Sequence, residues 1–259
     1  MSKMLTIAAS NRDRFDLETN STKWFIKSLA NQTCQDFELI IADGGSKNVE
    51  DIKQFAATNL HLFSIKVVCH QLGEKFERSR LNNVGVRNAT TPYIMTTDVD
   101  MFFAKDFVAT LVDNLKPHVF VESRTMYWKP PIANQIYSGA LDPINNLEDC
   151  KHGRIKKRTS AGGCQCTSIE NWHKLRGFNE AMVGWGSEDV ELLKRAKHMG
   201  LRILWMGESR ERIMVFHQPH AKIDINEDLK CQNVNKRIYA SSDQKFVNSL
   251  SWGGKYEDN

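Results

Sequence analysis

The stretch Pro92-Tyr93-Ile94-Met95-Thr96-Thr97-Asp98-Val99-Asp100 is an apolar strand pattern that ends in two acidic residues. Three comparable apolar runs precede it, at 4–9, 37–42 and 64–69. Three segments with helical spacing also precede it, at 19–32, 49–58 and 76–88. Strands that alternate with helices along a chain are typical of a parallel sheet with right-handed crossovers. The sequence therefore predicts an α/β fold with a mostly parallel central sheet flanked by helices.

The second half of the chain is less regular. Strands or extended segments are predicted there at 119–126, 159–168, 201–206 and 213–217. Helices are predicted at 169–175, 187–199 and 243–250. The segment 127–158 contains prolines and asparagines and shows little periodicity. Because a loop of that length inside a compact domain is usually functional or mobile, we interpret it as a functional segment.

Polar residues stand where several of these strands are expected to end. Asn11, Asp43 and Asp98 each follow an apolar run. In parallel sheets ligands bind at the carboxyl ends of the strands, so the three positions indicate one ligand crevice. Strand alternation directs the carboxylates of Asp98 and Asp100 the same way, and their repulsion is relieved by a hard divalent cation such as Mn²⁺ or Mg²⁺. An Asp-x-Asp triplet is common by chance, but its place at a strand end favours the metal site.

A second group of acidic residues lies in Gly184-Trp185-Gly186-Ser187-Glu188-Asp189. Glycines bracket one tryptophan, and two adjacent carboxylates stand where a helical pattern begins. A carboxylate at a helix N-terminus is stabilised as the anion. An aromatic platform beside a carboxylate pair suits a sugar site better than a hydrophobic core, although Glu188 or Asp189 alone would equally suit a helix cap.

The composition limits the class of protein further. The 259 residues carry a net charge of +4, from 35 basic and 31 acidic residues, without the clustered basic and aromatic face of a nucleic-acid binder. We find no window of 18 apolar residues and no apolar signal region at the N-terminus. Six scattered cysteines, with no CxxC pair, are interpreted as reduced thiols. We therefore expect a cytoplasmic protein.

The order and spacing of several motifs resemble those of GT-A-fold, family 2-type glycosyltransferases, with a C-terminal region like that of β-1,4-galactosyltransferases and chondroitin polymerases. The resemblance covers residues 4 to 220 and rests on these segments: Ile7-Ala8-Ala9-Ser10-Asn11-Arg12, Ile41-Ala42-Asp43-Gly44-Gly45-Ser46, Arg80-Leu81-Asn82-Asn83-Val84-Gly85, Asp98-Val99-Asp100, Gly162-Gly163, Arg176-Gly177-Phe178-Asn179-Glu180, Gly184–Asp189 and Met214-Val215-Phe216-His217.

The resemblance implies a role for each matching position. In the nucleotide-sugar site, Ala8 and Ser10 would lie in a nucleotide-contacting loop, and Asp43 would accept from the uracil N–H. Arg80 would lie near the phosphates, and Asp98 would face the ribose and the metal. Gly163 would also belong to this site, and Trp185 would stack against the sugars. Asp100 and His217 would bind the metal, with His220 as the alternative histidine. Glu188 would accept from a sugar hydroxyl, and Asp189 would be the general base. Gly44 stands where the family usually has a second Asp, and Ala8 replaces a more usual Thr or Pro.

The function that follows is a metal-dependent, inverting transfer of a hexose or N-acetylhexosamine from a UDP-sugar to a hydroxyl of a saccharide or glycoconjugate. A retaining enzyme similar to polypeptide N-acetylgalactosaminyltransferases, and a nucleotide-sugar-binding module without turnover, are the alternatives. A lipid-linked acceptor would bring the protein to the inner surface of the membrane. We predict a transferase domain at 1–221, with a nucleotide-binding half (1–104) and an acceptor-binding half (105–221), followed by an extension at 222–259.

Overall fold

A computed structural model describes residues 3–15, 20–73, 75–155, 162–219, 225–241 and 247–254 of the chain. The strands are β1 (Leu5–Asn11), β2 (Phe37–Asp43), β3 (Ser64–Cys69), β4 (Tyr93–Asp98), β5 (Met101–Phe103), β6 (Val119–Ser123), β7 (Thr125–Trp128), β8 (Gly153–Ile155), β9 (Cys164–Ser168), β10 (Arg202–Met206) and β11 (Val215–His217). The helices are α1 (Asn20–Ala30), α2 (Val49–Thr58), α3 (Arg78–Arg87), α4 (Phe107–Asn114), α5 (Pro130–Tyr137), α6 (Ile169–Leu175), α7 (Glu188–His198) and α8 (Ile225–Ser241), with a 3-10 turn at Glu148–Cys150.

The main sheet has the strand order β10-β6-β9-β4-β1-β2-β3. β1 pairs in parallel with β2 and β4, and β6 pairs in parallel with β10, whereas β9 runs antiparallel to both β4 and β6. The predicted α/β class with a mostly parallel sheet is therefore confirmed. Because β9 comes from the second half of the chain and lies between β4 and β6, the two predicted halves share one sheet. A smaller sheet has the order β5-β11-β7-β8.

Apolar side chains cover both faces of the main sheet. Ile7 and Ile41 belong to one buried cluster, while Ala8, Ile40 and Ile94 belong to another on the opposite face. Every residue of β1 is buried, as is typical of a central strand covered by helices on both sides. This arrangement leaves the carboxyl ends of β1, β2 and β4 at one edge of the sheet.

Several predicted elements differ from the observed ones. The strand predicted at 119–126 is divided at Arg124 into β6 and β7, which lie in different sheets. The segment 127–158 is not irregular throughout, since it contains α5 and β8; α5 begins with two prolines, which the first turn of a helix tolerates. Residues 247–250 are not helical. The first residue of the helix predicted at 19–32, residues 159–161 of the segment predicted at 159–168, and residues 243–246 of the last predicted helix lie outside the described residues.

The described parts of the C-terminal extension pack against the rest of the domain. The Asn235 side chain on α8 donates to the Val183 carbonyl over 3.1 Å, and Trp252 is only 3% exposed. The Asn248 side chain donates to the carbonyls of Arg176 and Phe178. The extension therefore covers the segment that leads into α7. No helix in the described ranges is long and apolar enough to cross a membrane.

Candidate active site

Strand register brings the predicted polar residues to one edge of the main sheet. Ser10 lies opposite Asp98, and Asn11 lies opposite Asp43. The Ser10 hydroxyl donates to Asp98 Oδ1 over 3.2 Å, which links the ends of β1 and β4. These residues form the floor of the candidate site.

Asp43 closes the turn that follows β2. Its Oδ1 accepts from the backbone N–H groups of Gly45 (3.0 Å) and Ser46 (2.8 Å). Its Oδ2 accepts from Asn11 Nδ2 (2.6 Å) and Ser46 Oγ (2.5 Å). A carboxylate has about four lone-pair positions, and these four donors occupy them. A contact from Asp43 to uracil therefore stays a prediction, and it requires one of these donors to move.

Arg78, at the first position of α3, joins the two acidic groups of the site. Its Nε and Nη2 donate to Asp98 over 2.8 and 3.0 Å in a bidentate pair. Its Nη1 donates to Glu188 over 3.0 Å and to Asp189 over 2.9 Å. Arg78 is only 6% exposed, so these are charge-assisted bonds in a dry environment. One guanidinium thus fixes the start of α7 against the end of β4.

The three carboxylates around Arg78 differ in their access to solvent. The Glu188 side chain is 2% exposed, the Asp189 side chain 15% and the Asp98 side chain 26%. Burial, together with the neighbouring charge of Asp189, raises the pKa of Glu188 from 4.5 to about 7. Burial alone would lower the pKa of Arg78, but the carboxylates of Asp189, Asp98 and Glu188 raise it well above its ordinary value. Asp189 is therefore the more accessible carboxylate at the start of α7, and Glu188 lies behind it.

We expect Glu188 to make the stability of the protein depend on pH. The folded state binds the Glu188 proton more tightly than the unfolded state, because the pKa rises from 4.5 to about 7 on folding. The contribution of Glu188 to the free energy of unfolding is therefore complete below pH 4.5 and falls by up to about 3 kcal/mol as pH rises through 7. Urea unfolding at pH 5 and pH 8 measures it, with Glu188→Gln as the variant that cannot titrate. Equal pH dependence in both proteins would contradict the assignment.

The loop before α7 presents Trp185 to solvent. Gly184, Gly186 and Ser187 have φ angles of 74°, 107° and 75°, in the region that favours glycine. The Gly184 N–H donates to the Phe76 carbonyl over 2.9 Å, which anchors the loop beside the segment before α3. Trp185 is 49% exposed and lies four residues before Asp189 in the chain.

Asp100 and His217 meet where β5 and β11 pair. His217 Nε2 lies 3.8 Å from Asp100 Oδ1, and the His217 ring stacks on Tyr127 at 4.6 Å. Metal–ligand bonds of about 2.1 Å allow one ion to contact both groups, and a carboxylate with an imidazole suits Mn²⁺. Within the described ranges no set of three or more His, Cys, Asp or Glu side chains converges on a metal site. His220 lies outside the described residues.

Two side chains near Asp100 were not indicated by the sequence. Arg14 Nη1 lies 3.8 Å from Asp100 Oδ2. Tyr137, at the end of α5, donates from its hydroxyl to the Pro219 carbonyl over 3.3 Å. Burial, with the charge of Asp100, raises the pKa of Tyr137 to about 12. The segment 127–158 therefore reaches the candidate metal site through α5.

Two further predicted site residues, Ala8 and Arg80, lie on or beneath α3. Ala8 was predicted to contact the nucleotide from a loop, but β1 continues to Asn11, so Ala8 lies inside the strand beneath α3. A Cβ on Gly85 would come within 2.8 Å of the Ala8 Cβ. The nucleotide contact of Ala8 stays a prediction. Arg80 pairs with Glu77 at 2.9 Å and with Glu180 at 3.8 Å, and its role near the phosphates stays a prediction.

Gly163 lies beside the end of β4. Its carbonyl accepts from Thr97 Oγ1 over 2.8 Å, and a Cβ at this position would overlap Thr125 Oγ1. Sequence reasoning also missed Arg78, two positions before Arg80 in the same helix.

The fold and the site define a GT-A nucleotide-sugar transferase domain. The model of the family "Glycosyl transferase family 2" matches residues 18–127, and that of the "N-terminal domain of galactosyltransferase" matches residues 145–219. The chain is thus a family 2-type glycosyltransferase sequence over residues 18–127, with a galactosyltransferase-like C-terminal region.

Individual relatives agree with this class. Chondroitin sulfate N-acetylgalactosaminyltransferase 1 of Mus musculus is 25% identical over 61% of this chain and 30% of its own length. An uncharacterized glycosyltransferase of Rickettsia conorii is 34% identical over 40% of this chain and 16% of its own length. The chain thus spans less than a third of the curated relatives it matches.

Solved structures share the fold at low identity. Staphylococcus aureus TarS residues 1–349 in complex with UDP-GlcNAc has a TM-score of 0.62 at 10% identity, over 93% of this chain and 68% of that one. A mannosyltransferase of Pyrobaculum calidifontis, in complex with GDP-Man and Mn²⁺, has a TM-score of 0.62 at 15% identity, over 97% of this chain and 68% of that one.

Proposed function

We propose that this protein is a metal-dependent, inverting glycosyltransferase. It moves a hexose or N-acetylhexosamine from a UDP-sugar to a hydroxyl of a saccharide or glycoconjugate. The observation that carries the proposal is the Arg78 cluster, which consists of Arg78 and the carboxylates bonded to it. Its guanidinium joins Asp98, at the end of β4, to Asp189, at the start of α7. An inverting displacement needs a base on one side of the sugar and a leaving diphosphate on the other, and the cluster supports the proposal by bringing a candidate base to the nucleotide end of the sheet.

In this proposal Asp189 accepts the proton of the acceptor hydroxyl. The hydroxyl oxygen then forms a bond with the anomeric carbon, and the bond between that carbon and the diphosphate oxygen breaks, so UDP leaves with the electron pair. The side chain of Asp189 is partly exposed, and Trp185, four residues earlier in the chain, is 49% exposed; an indole ring suits stacking against a sugar face. Glu188 lies behind it, and its Oε2, which accepts no hydrogen bond from the described residues, would accept from a sugar hydroxyl.

Asp100 and His217 are the residues that would hold the metal. A divalent ion bound there supplies positive charge for the departing diphosphate. Arg14, 3.8 Å from Asp100, adds a cation on the same side of the site. The names of two matched proteins support the donor class: one structure contains UDP-GlcNAc, and the chondroitin sulfate relative is an N-acetylgalactosaminyltransferase by name.

Thermal unfolding with UDP, UDP-sugars and Mn²⁺ tests the donor and metal assignments together. A ligand at 100 times its Kd should raise the free energy of unfolding by about 2.7 kcal/mol. His217→Ala should remove the part of the shift that depends on Mn²⁺, and His198→Ala, an exposed histidine of α7, is the matched control. No shift with any uridine nucleotide would overturn the donor assignment.

Turnover and stereochemistry need a separate measurement. NMR of the product with a candidate acceptor should show the anomeric configuration opposite to that of the donor. A product with the donor's configuration would contradict inversion and favour the retaining alternative. Binding of UDP and Mn²⁺ without UDP release from any donor–acceptor pair would favour a binding module.

A further inference from the structure

A buried carboxylate and a buried amide lie side by side in the main sheet, behind the site. Glu122 on β6 is 0% exposed, and Gln165 on β9 is 1% exposed. The two residues are direct partners in the antiparallel pairing of β6 with β9. Burying a carboxylate is costly unless it is well paired, and an apolar pair at these positions would serve packing better. Packing alone therefore does not explain why this polar pair lies in the sheet.

The amide of Gln165 connects this pair to α7. Its Nε2 donates to Glu122 Oε1 and, over 3.1 Å, to the backbone carbonyl of Asp189. Both partners are acceptors, so they fix the orientation of the amide group. Glu122 Oε2 lies 3.5 Å from the Gly162 N–H, next to Gly163. A continuous set of contacts thus runs from the Gly162–Gly163 turn to the first turn of α7.

The first turn of α7 has no side-chain cap, so contacts from outside the helix bear on its position. Ser187, the residue before the helix, has a left-handed conformation and makes no side-chain capping hydrogen bond. Arg78 holds the side chain of Asp189, and Gln165 holds its backbone from the sheet. A reacting group must be placed to within about 0.5 Å, so both restraints bear on its rate.

We propose that Gln165, oriented by Glu122, is a positioning residue for Asp189. The proposal rests on the function proposed above. Gln165 does not contact substrate; it fixes the backbone from which the base projects. Its loss should therefore lower kcat and leave the donor KM and UDP affinity unchanged.

A reciprocal exchange separates this role from ordinary stability. Gln165→Glu puts two carboxylates together and should lower both Tm and kcat, the latter by about 10–100-fold. Adding Glu122→Gln restores a donor–acceptor pair between the two positions, but residue 165 still cannot donate to the Asp189 carbonyl. We expect the double variant to recover Tm while kcat stays low at an unchanged donor KM. Recovery of kcat together with Tm would overturn the proposal, as would wild-type kcat in Gln165→Glu.

A remote glutamine provides the matched control. Gln32 is buried, and its Nε2 donates to the Ala104 carbonyl over 2.9 Å. Gln32→Glu should lower Tm and leave kcat of the folded protein unchanged. Failure of the proposed function is recognised separately, by the absence of transfer in the wild type. In that case the restraint of Gln165 on the Asp189 backbone is measured by amide hydrogen exchange at the start of α7. Exchange should be faster in the double variant, and unchanged exchange would overturn the inference.

Discussion

Replacing Asp189 by asparagine is expected to lower kcat for sugar transfer by about 10²–10⁴-fold, the usual contribution of a general base. The amide has the same shape and its oxygen can still accept from Arg78 Nη1, so the start of α7 should remain in place. It cannot take up the proton of the acceptor hydroxyl. The affinity for UDP with Mn²⁺ should not change. Steady-state kinetics together with calorimetric titration of UDP measures both quantities.

The chain offers a close control for this substitution. Glu170 lies in the first turn of α6, is exposed, and is outside the site, so Glu170→Gln should keep full activity. Asp189→Asn with more than a tenth of the wild-type kcat would show that the base lies elsewhere. A larger loss in Glu188→Gln than in Asp189→Asn would reverse the roles of the two carboxylates.

Up to β4 the predicted elements begin and end within two residues of the observed ones, whereas β5 (Met101–Phe103) and α4 (Phe107–Asn114) were not predicted. α2 (Val49–Thr58) and β3 (Ser64–Cys69) coincide with the predicted ranges, because their hydrophobic periodicity is a local property. β1 was predicted to end at Ala9 because Ser10 and Asn11 are polar. Both residues are buried within the strand, since Asp98 and Asp43 on the neighbouring strands satisfy them. A partner that far along the chain cannot be read from a local pattern.

The second half was predicted less well for a related reason. β6 and β7 form one apolar run in the sequence, and their division between two sheets follows from tertiary pairing. α8 is long but polar, and its place is set by contacts with the loop before α7. For the site, family resemblance indicated both acidic groups, but not their connection. Arg78 and Asp189 are 111 residues apart, so only the fold shows that they meet.

Replacing Arg78 by methionine is expected to be the most destabilising single change at the site. It removes the cation that Asp98, Glu188 and Asp189 share and leaves their negative charges together in a mostly buried place. Breaking a buried ion pair in this way costs about 3–5 kcal/mol. The decrease in the free energy of unfolding should be smaller at pH 5 than at pH 8, because Glu188, with a pKa of about 7, is already protonated at the lower pH. Urea unfolding at the two pH values measures both effects.

Arg80→Met is the matched control, since Arg80 lies in the same helix and pairs with Glu77 at 2.9 Å, with a side chain that is 20% exposed. Its effect on unfolding should be about 1 kcal/mol or less, as for a partly solvated pair. UDP affinity in this variant also tests the predicted contact of Arg80 with the phosphates. If Arg78→Met does not fold, Arg78→Lys keeps the charge but loses the bidentate geometry, and it should fold with reduced transfer. Equal unfolding free energies for Arg78→Met and Arg80→Met would show that the three carboxylates do not depend on Arg78. The start of α7 would then have to be held against the end of β4 chiefly by other contacts, of which the Gln165 bond to the Asp189 carbonyl is one.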